Sequence, residues 1–382
     1  MSAVARWSNV ARPALAPAAM ARSVKTRRKG EKRYPLRPGG ARRSNLAGMT
    51  GGKRRGSNPD ILHSTPPALP LWPEPCLAVQ AGKDSEFKIS MARASIIIPS
   101  FNRIDQMRQC LTALQALEGG PYETIVVDDG SATPYAERLT GFGAHVRIIR
   151  QDNAGPGAAR NTGAQAATGE YLCFVDDDCD PDPGWVDALV RAQGNHSMRL
   201  VGGKVVNGLP RNPYSSASQS LCSFLTEYYA AGTSEMTFFT TNNMCCRAED
   251  FRTLAGFDPG FRIASEDRDF SLRWKEAGGQ LVHAPEAVVH HSHVLSFASF
   301  WRQHQNYGLG ARQLHLAMDR RRDRRPKIEP ARFYFGLLFH PLRHAGHRRL
   351  YQSFLIGLSQ VAMVSGYYRQ VMKERRERGT GR

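Results

Sequence analysis

The sequence predicts an α/β fold in which a mixed, mainly parallel sheet is flanked by helices. Residues 92–295 alternate between short β-branched runs and stretches whose apolar residues recur every three or four positions, as strands and amphipathic helices do. Two of the β-branched runs end directly in aspartates. Hydrophobic residues make up 41% of the chain and charged residues 23%, which is typical of a globular domain and excludes a wholly disordered or collagen-like chain.

The predicted elements alternate along the domain. The first strand is the run 95–99, which Pro99 closes. A helix follows, because the next apolar residues lie on one helical face. They are Ile104, Met107, Leu111, Leu114 and Leu117. Further strands are predicted at 124–127, 146–149 and 171–175, with a helix that starts at the Gly155-Pro156-Gly157 turn and extends through Ala167.

Acidic residues cluster at the ends of two of these strands and again further along the chain. The clusters are Asp128-Asp129, Asp176-Asp177-Asp178, Glu266-Asp267 and Asp269. Parallel strands end at one edge of a sheet, where open α/β sheets bind ligands. Carboxylate oxygens are the ligands that Mg²⁺ and Mn²⁺ prefer. A metal site is therefore favoured over the alternative, a solvated loop that simply ends a strand.

The segment from Gly155 to Arg160 imitates a dinucleotide-binding fingerprint, since it follows a strand, opens a helix and precedes an acidic cluster. Two observations argue against that site. Arg160 stands where the fingerprint has its third glycine, and three acids follow where a single acid would bind the ribose. A proline-started helix with small packing residues accounts for the segment better.

The positive charge of the chain lies in its two tails. The formal net charge is +18 overall, +12 over residues 1–90 and +11 over residues 319–382, which leaves −5 for the middle. A sugar or nucleotide site is expected in the middle of the chain. The basic tails suit an anionic membrane surface or nucleic acid.

Three segments are predicted. Residues 1–91 form a disordered, basic and Pro-rich tail, because no apolar periodicity is present there, and Met91 is an alternative start of the protein. Residues 92–312 form the α/β domain, and residues 313–382 form a basic helical extension. Residues 350–368 carry no charge but are too polar for a good membrane span. An interfacial helix on anionic headgroups and a soluble helix packed on the domain both remain open.

The cysteines indicate a reducing compartment. The seven cysteines have no zinc-binding spacing, and their odd number argues against a secreted disulfide scaffold. A cytoplasmic location is expected. The basic extension would then lie peripherally at the inner face of the plasma membrane.

Several short segments, taken together and in order, carry a family resemblance. They are 98–103 (IPSFNR), 127–131 (VDDGS), 153–161 (NAGPGAARN), 176–178 (DDD), 241–244 (TNNM), 256–258 (GFD), 265–267 (SED) and 288–293 (VVHHSH). In this order they resemble the inverting family 2 glycosyltransferases, which have a GT-A fold. The resemblance covers residues 95–312.

The resemblance implies a role for each matching residue. Those on the donor-nucleotide side are Pro99, Phe101, Arg103, Asp128, Asp129, Arg160 and Asp176. Asp176 and Asp178 match the family's DxD pair, and both are predicted metal ligands, with Asp176 also nearer the ribose. His291 matches a late histidine that completes the metal or diphosphate site.

The catalytic and acceptor sides are implied in the same way. Asp267 matches the general base of the family, and the adjacent Glu266 would raise its pKa. Asn242 and Asn243 would lie on the acceptor side. Without the resemblance, Glu266 and Asp267 would be taken as ordinary first-turn acids of a helix.

The resemblance also implies an activity. It is the metal-dependent transfer of a single sugar, with Mn²⁺ or Mg²⁺, from a nucleoside-diphosphate donor (UDP favoured) to a hydroxyl acceptor, with inversion. The acceptor would be a glycan or lipid-linked molecule of the bacterial cell envelope. Processive members share a Gln/Arg-x-x-Arg-Trp motif, but here Phe270 takes its first position before Arg273-Trp274. A hexosyltransferase that adds one sugar is therefore expected, not a polymer synthase.

Two alternatives compete with this activity. A nucleotide-sugar pyrophosphorylase would carry a Gly-rich basic loop after the first strand, and 99–103 lacks one. A nucleic-acid binder could use the basic tails, but the acidic middle and the lack of an aromatic–basic platform oppose it. No specific nucleic-acid partner is predicted.

Overall fold

An eight-stranded sheet lies at the centre of the part of the chain that the structure describes. The computed structural model describes residues 93–233, 238–321, 329–344 and 348–379. The strands are β1 (Ala94–Ser100), β2 (Tyr122–Asp128), β3 (Val146–Arg150), β4 (Tyr171–Phe174), β5 (Cys179–Pro181), β6 (Arg199–Asn207), β7 (Met244–Arg247) and β8 (Gln280–His291). They lie in the order β3-β2-β1-β4-β7-β6-β8-β5.

The sheet is parallel in its first half and mixed in its second. β1 pairs in parallel with β2 and β4, and β2 with β3. β7 is antiparallel to both β4 and β6, and β5 is antiparallel to β8, whereas β6 and β8 are parallel. The predicted α/β class with a mixed sheet is confirmed, and the four predicted strands correspond to β1–β4.

Helices pack on both faces of this sheet, and further helices follow towards the C-terminus. They are α1 (Ile104–Leu114), α2 (Pro156–Ala166), α3 (Trp185–Gln193), α4 (Pro213–Thr233), α5 (Ala248–Thr253), α6 (Glu266–Glu276), α7 (Phe297–Arg320), α8 (Ala331–His344) and α9 (Arg349–Gly379). Short 3-10 turns cover Tyr135–Glu137 and Thr241–Asn243. Pro156 stands in the first turn of α2, as predicted for a proline-started helix.

The alternation of side chains along β1 divides the core into two layers. Ile96 and Ile98 pack into one buried cluster with Met107 of α1. Ile97 points to the opposite face and packs into a second cluster with Phe257. Successive strand residues face opposite sides of a sheet, so a β-branched run that is buried on both sides stabilises both layers.

The C-terminal helices form a third layer of their own. Phe224 of α4, Phe300 of α7, Leu337 of α8 and Ile356 of α9 share one buried cluster. The predicted boundary at residue 312 falls inside α7, which runs continuously from Phe297 to Arg320. The division into a domain and an extension stays a prediction. The predicted disordered tail, 1–91, and the alternative start at Met91 lie outside the described residues.

Helices α7 and α9 touch backbone to backbone through glycines. A Cβ at Gly308 would lie 2.0 Å from the carbonyl oxygen of Met363, and one at Gly366 would lie 2.0 Å from that of Gln305. Only glycine allows such an approach.

Among the described helices, none is both long and apolar enough to cross a membrane.

We predict that Gly366→Ala destabilises the protein by about 1–3 kcal/mol, because the new methyl group overlaps the backbone of α7. Gly357→Ala on the same helix is the matched control, since its Cβ would meet only Leu338, at 3.6 Å. That control should gain up to about 1 kcal/mol of helix propensity. Thermal unfolding of both variants checks the contrast, and equal effects would contradict the close crossing.

Candidate active site

The ends of β1 and β4 are joined by a network of ion pairs and hydrogen bonds. Arg103, the residue before α1, places its two terminal nitrogens 3.0 Å from Asp177 Oδ1 and 2.6 Å from Asp178 Oδ2. Ser100, the last residue of β1, donates its hydroxyl to Asp177 Oδ2 at 2.5 Å. Burial raises the pKa of Asp177 to about 7, although the Arg103 charge opposes this. The acidic cluster therefore lies at the carboxyl ends of the parallel strands β1 and β4, which are neighbours in the sheet.

A second arginine connects this edge to the start of α6. Arg160 of α2 is 3% exposed. One terminal nitrogen lies 2.6 Å from Asp176 Oδ1 and the other 2.9 Å from Glu266 Oε1. Burial acts to lower the pKa of Arg160, but these two carboxylates raise it overall. Arg160 thus fixes Glu266, and with it the N-terminus of α6, next to the acidic cluster.

Asp178 and His291 face each other across an antiparallel strand pair. Cys179 of β5 pairs with His291 of β8, which brings His291 Nε2 to 3.2 Å from Asp178 Oδ1. Burial alone would raise the pKa of Asp178, but the hydrogen bond and the charge of His291 hold it well below its usual range. The pKa of His291 is raised, because the bond to Asp178 outweighs burial.

This pair could supply two of the ligands of a divalent cation. Ligand atoms of Asp178, Cys179 and His291 lie within 4.8 Å of one another. A carboxylate and an imidazole suit Mn²⁺, whereas burial raises the pKa of the Cys179 thiol well above its usual value and keeps it protonated. Asp178 and His291 would hold the ion. Asp176 directs its Oδ1 to Arg160 instead, so the structure does not bring this predicted ligand into the cluster.

Asp128 and Asp129 end β2 at the same edge, but both carboxylates bond to the protein. Asp128 is fully buried and lies 2.5 Å from Arg150 Nη1 while accepting from the backbone N–H of Ser131 at 2.8 Å. Asp129 accepts from Gln151 Nε2 at 2.7 Å and from the backbone N–H groups of residues 154 and 155 at 2.9 Å. Their observed bonds shape the loop before α2. A bond to the nucleotide would have to replace some of them.

The other predicted donor residues differ in exposure. Pro99 is buried within β1. Phe101 follows the strand directly and is 45% exposed. An exposed ring at the rim of the site can stack on a flat ligand such as a nucleobase. Phe101 is therefore the better placed of the two for direct contact.

The two predicted acceptor residues are both buried. Asn243 donates its amide to the carbonyl oxygens of Ala287 at 2.9 Å and Lys204 at 3.1 Å, and accepts from the Trp185 indole N–H at 2.9 Å. This amide holds β6, β7 and β8 together. Asn242 accepts a hydrogen bond from Thr240 at 2.6 Å. An acceptor could reach Asn243 only if those bonds were broken.

Asp267 lies in the first turn of α6, beside Glu266. Burial and the adjacent Glu266 charge raise the pKa of Asp267 to about 7. Ser265, the residue before the helix, has a left-handed backbone (φ +77°). A Cβ at Gly310 of α7 would lie 2.6 Å from the carbonyl oxygen of Ala264, so α7 packs directly against this turn. A carboxyl group with a pKa near 7 can both take and release a proton.

A cavity of about 380 Å³ adjoins these groups. Its lining residues are Arg103, Gln106, Ile263, Ala264, Ser292, His293, Val294, Leu295, Ser299, Arg302, Gln303, Asn306 and Tyr307. Gln303 Oε1 is buried without a hydrogen-bond partner among the described residues. Burial lowers the pKa of His293 to about 4, so this ring is neutral near pH 7. The lining mixes polar and apolar side chains, with two arginines and no carboxylate.

Sequence reasoning missed two parts of this site. Asp177 was placed in the acidic triplet without a role, yet it bonds both Ser100 and Arg103. The polar face of α7 was not predicted either, because none of the segments that carry the resemblance includes it. Its members that line the cavity are Ser299, Arg302, Gln303 and Asn306. Their spacing of three and four residues is a helical face, and that periodicity could have revealed it.

Comparison with protein families places the chain. The sequence model described as Glycosyl transferase family 2 matches residues 95–254. The one described as Glycosyl transferase family group 2 matches residues 175–369, which is more than half of the chain. The chain belongs to the family 2 glycosyltransferases. The observed sheet agrees with the GT-A fold that the resemblance implied for this family.

Curated relatives of this glycosyltransferase cover part of its length. The pre-mycofactocin glycosyltransferase of Mycobacterium tuberculosis is 30% identical over 226 residues, which are 58% of this chain and 47% of the relative. Glycosyltransferase AglE of Haloferax volcanii is 29% identical over 203 residues, 52% of this chain and 66% of AglE. The O-antigen biosynthesis protein RfbC of Myxococcus xanthus is 25% identical over 243 residues, 56% of this chain and 19% of RfbC. The chain therefore spans less than two thirds of each.

Solved structures are less similar to this chain in sequence than the curated relatives are. The mannosyltransferase PcManGT of Pyrobaculum calidifontis, in complex with GDP-Man and Mn²⁺, has a TM-score of 0.47 and 16% identity, covering 72% of this chain and 74% of that one. GalNAc-T7 with UDP, GalNAc and Mn²⁺ has a TM-score of 0.44 and 16% identity, covering 59% of this chain and 48% of that one.

We predict that Arg160→Met destabilises this glycosyltransferase by about 3–5 kcal/mol, because it leaves two carboxylates near each other without their cation. Lys373→Met is the matched control, since its pair with Glu377 is exposed on both sides and is worth about 0–1 kcal/mol. Denaturant unfolding at pH 7 checks both variants, and equal losses of stability in the two would contradict the ion-pair explanation.

Proposed function

We propose that this chain is a metal-dependent, inverting hexosyltransferase that moves one sugar from a nucleoside-diphosphate donor to a hydroxyl acceptor. The observation that carries the proposal is the double ion pair of Arg160, which joins Asp176 of the acidic cluster to Glu266 beside Asp267. It keeps a cation site and a carboxyl group of pKa about 7 within one small region. Transfer requires both, because a leaving group must depart as a proton is removed from the acceptor.

The reaction assigns a task to each residue of this chain. Asp267 takes the proton from the acceptor hydroxyl while that oxygen attacks the anomeric carbon. The new bond joins this carbon to the acceptor oxygen, and the bond to the diphosphate oxygen breaks on the opposite face. Inversion follows from that geometry. Glu266 and the burial of Asp267 keep its pKa high enough for it to be an effective base.

The diphosphate side is basic as well as metal-binding. A bound divalent cation, Mn²⁺ or Mg²⁺, supplies neutralisation of the charge that develops on the leaving diphosphate. Asp178 and His291 are the residues that would hold it. Arg103 contacts Asp178 at 2.6 Å and is 39% exposed in its side chain, so it can also bond a phosphate oxygen. The proposed donor is a UDP-sugar, with Phe101 against the base.

The cavity beside this region is the proposed entry for the acceptor. Its wall includes Ala264, three residues before Asp267, and the polar face of α7. The amide, hydroxyl and guanidinium groups of the lining suit the hydroxyls of a sugar, and its apolar residues suit the less polar part of an acceptor. We propose a glycan or lipid-linked acceptor of the bacterial cell envelope, reached from the cytoplasmic side of the plasma membrane. A relative named as an O-antigen biosynthesis protein supports this class.

We predict that one of UDP, GDP, dTDP and CMP raises the melting temperature in the presence of Mn²⁺ and not in EDTA. Asp178→Ala and His291→Ala should abolish the shift, because they remove the ligands of the ion. The adjacent pair Asp182 and His290, 3.0 Å apart and largely exposed, gives matched controls in Asp182→Ala and His290→Ala, which should keep it. A folded protein that responds to none of the four nucleotides would refute the donor site.

We predict that kcat/KM falls about tenfold per pH unit below pH 7 and is level above it, because Asp267 must be ionised to act as a base. Asp267→Asn should lose roughly 10²–10⁴-fold in kcat. Asp105→Asn, which changes an exposed first-turn acid of α1, should leave activity unchanged.

Stability provides an independent check on the same carboxyl. Its pKa is raised on folding from 3.8 to about 7, so the folded state holds this proton more tightly and loses stability as pH rises between these values. Asp267→Asn should therefore unfold at a higher temperature than the wild type at pH 8. At pH 4 the two should be alike. No difference at pH 8 would mean that Asp267 is ionised at no cost.

A further inference from the structure

Helix α9 exposes a continuous row of apolar side chains. Its members, here called the apolar stripe, are Leu350, Phe354, Val361, Val364, Tyr368 and Met372. They follow one another at intervals of three, four or seven residues, which places them on one helical face. Their exposed fractions lie between 51% for Met372 and 78% for Leu350. The opposite face, with Leu355, Ile356 and Ala362, is buried against the neighbouring helices.

Helix α8 extends this surface. Phe335 is 61% exposed and Phe339 is 53% exposed. The Leu338 side chain lies 3.6 Å from where a Cβ of Gly357 would be. Gly357 lies on the same face of α9 as the apolar stripe, so the apolar residues of the two helices adjoin. Contiguous apolar surface of this kind marks an interaction site.

Basic residues surround the two ends of the apolar stripe. Arg348 and Arg349 lie at the N-terminal end of α9. The C-terminal end carries Arg369, Lys373, Arg375, Arg376 and Arg378. The two acids at that end are engaged, since Glu374 lies 2.8 Å from Arg312 of α7 and Glu377 lies 3.9 Å from Lys373. The surface is therefore apolar along its length and positively charged at both ends.

We infer that this face of α8 and α9 docks onto an anionic lipid bilayer, with α9 lying in the plane of the headgroups. An apolar stripe with Lys and Arg beside it is the composition of helices that bind at a membrane interface. Each basic residue near an anionic membrane surface contributes about 1 kcal/mol, and the stripe adds the burial of its side chains between the headgroups.

Charge favours an anionic bilayer over two other occupants of this surface, which are residues 1–90 and a second copy of the chain. Residues 1–90 carry a net charge of +12, which has the same sign as the basic ends of the stripe. A second copy of the chain would bring the same positive surface. An anionic lipid bilayer has the opposite charge, and its apolar interior can bury the stripe.

The inference rests on the proposed function in one respect. A lipid-linked acceptor lies in a membrane, and α7 connects the docking face to the cavity. Gly308 of α7 touches α9, and the neighbouring Tyr307 lines the cavity. Docking through α9 therefore brings the cavity close to the bilayer surface, where the sugar of such an acceptor lies.

The test is cosedimentation of the full chain with vesicles, without nucleotide or metal. The wild type should bind vesicles of phosphatidylcholine mixed with phosphatidylglycerol at least tenfold more strongly than phosphatidylcholine alone, and less strongly at high salt. Phe354→Glu and Val364→Glu should each weaken binding at least tenfold. Gln115→Glu adds the same charge at the exposed residue that follows α1 and should bind as the wild type does.

Several outcomes would overturn the inference. They are equal binding of neutral and anionic vesicles, no binding of either, and stripe variants that still melt as the wild type does and bind unchanged. A dimer that Val364→Glu dissociates, with no vesicle binding, would assign the face to a second copy instead. The Mn²⁺-dependent nucleotide shift is measured without lipid. If vesicle binding fails while that shift persists, the docking face is refuted and the proposed transferase activity is not.

Discussion

The site depends on one buried guanidinium. Arg160 lies between Asp176, at the end of β4, and Glu266, at the start of α6, and almost no water reaches it. Removing this cation from water is costly, and only two close carboxylates offset that cost. Gly157, one turn earlier on α2, also faces Glu266, since a Cβ there would lie in ordinary contact, 3.4 Å from the Glu266 side chain. The start of α2 thus packs against α6.

The same electrostatic constraint explains the arrangement of the remaining charges. Acids that converge at one sheet edge repel one another unless cations separate them. Arg103 lies between Asp177 and Asp178, and Arg150 neutralises Asp128. An arginine is thus bonded to each of these carboxylates. The donor and its metal would enter a site in which several acids already have a cationic partner, so binding would redistribute these bonds.

Local patterns were sufficient for the first half of the fold. β1–β3 are short runs rich in β-branched residues, and β4 is a short apolar run. The helices and aspartates between these strands follow in the predicted order. The proximity of Asp178 and His291 could not be derived from spacing. It depends on the pairing of the three-residue strand β5 with β8, which joins segments far apart in sequence. Only the family resemblance suggested it, and the geometry agrees with that suggestion.

Burial constrains two of the predicted roles, which stay predictions. Asn243 was assigned to the acceptor side, yet its amide bonds backbone groups between β6 and β8, because an asparagine in a sheet can replace missing ladder bonds. Asp129 belongs to the predicted motif, but its carboxylate organises the loop before α2. In both cases the sequence identifies a polar side chain correctly without indicating whether it points inward or outward. That direction is set by tertiary packing.

Under the proposed membrane docking, the glycine contact between α7 and α9 would bear on substrate selection. Two helices whose backbones already touch cannot move closer, and the buried aromatic cluster beside them resists separation. This contact would therefore fix the distance between the docking face and the wall of the cavity that α7 forms. Among acceptors anchored in a bilayer, those whose hydroxyl projects over that distance would be accepted, and shorter or longer ones would be rejected by reach alone.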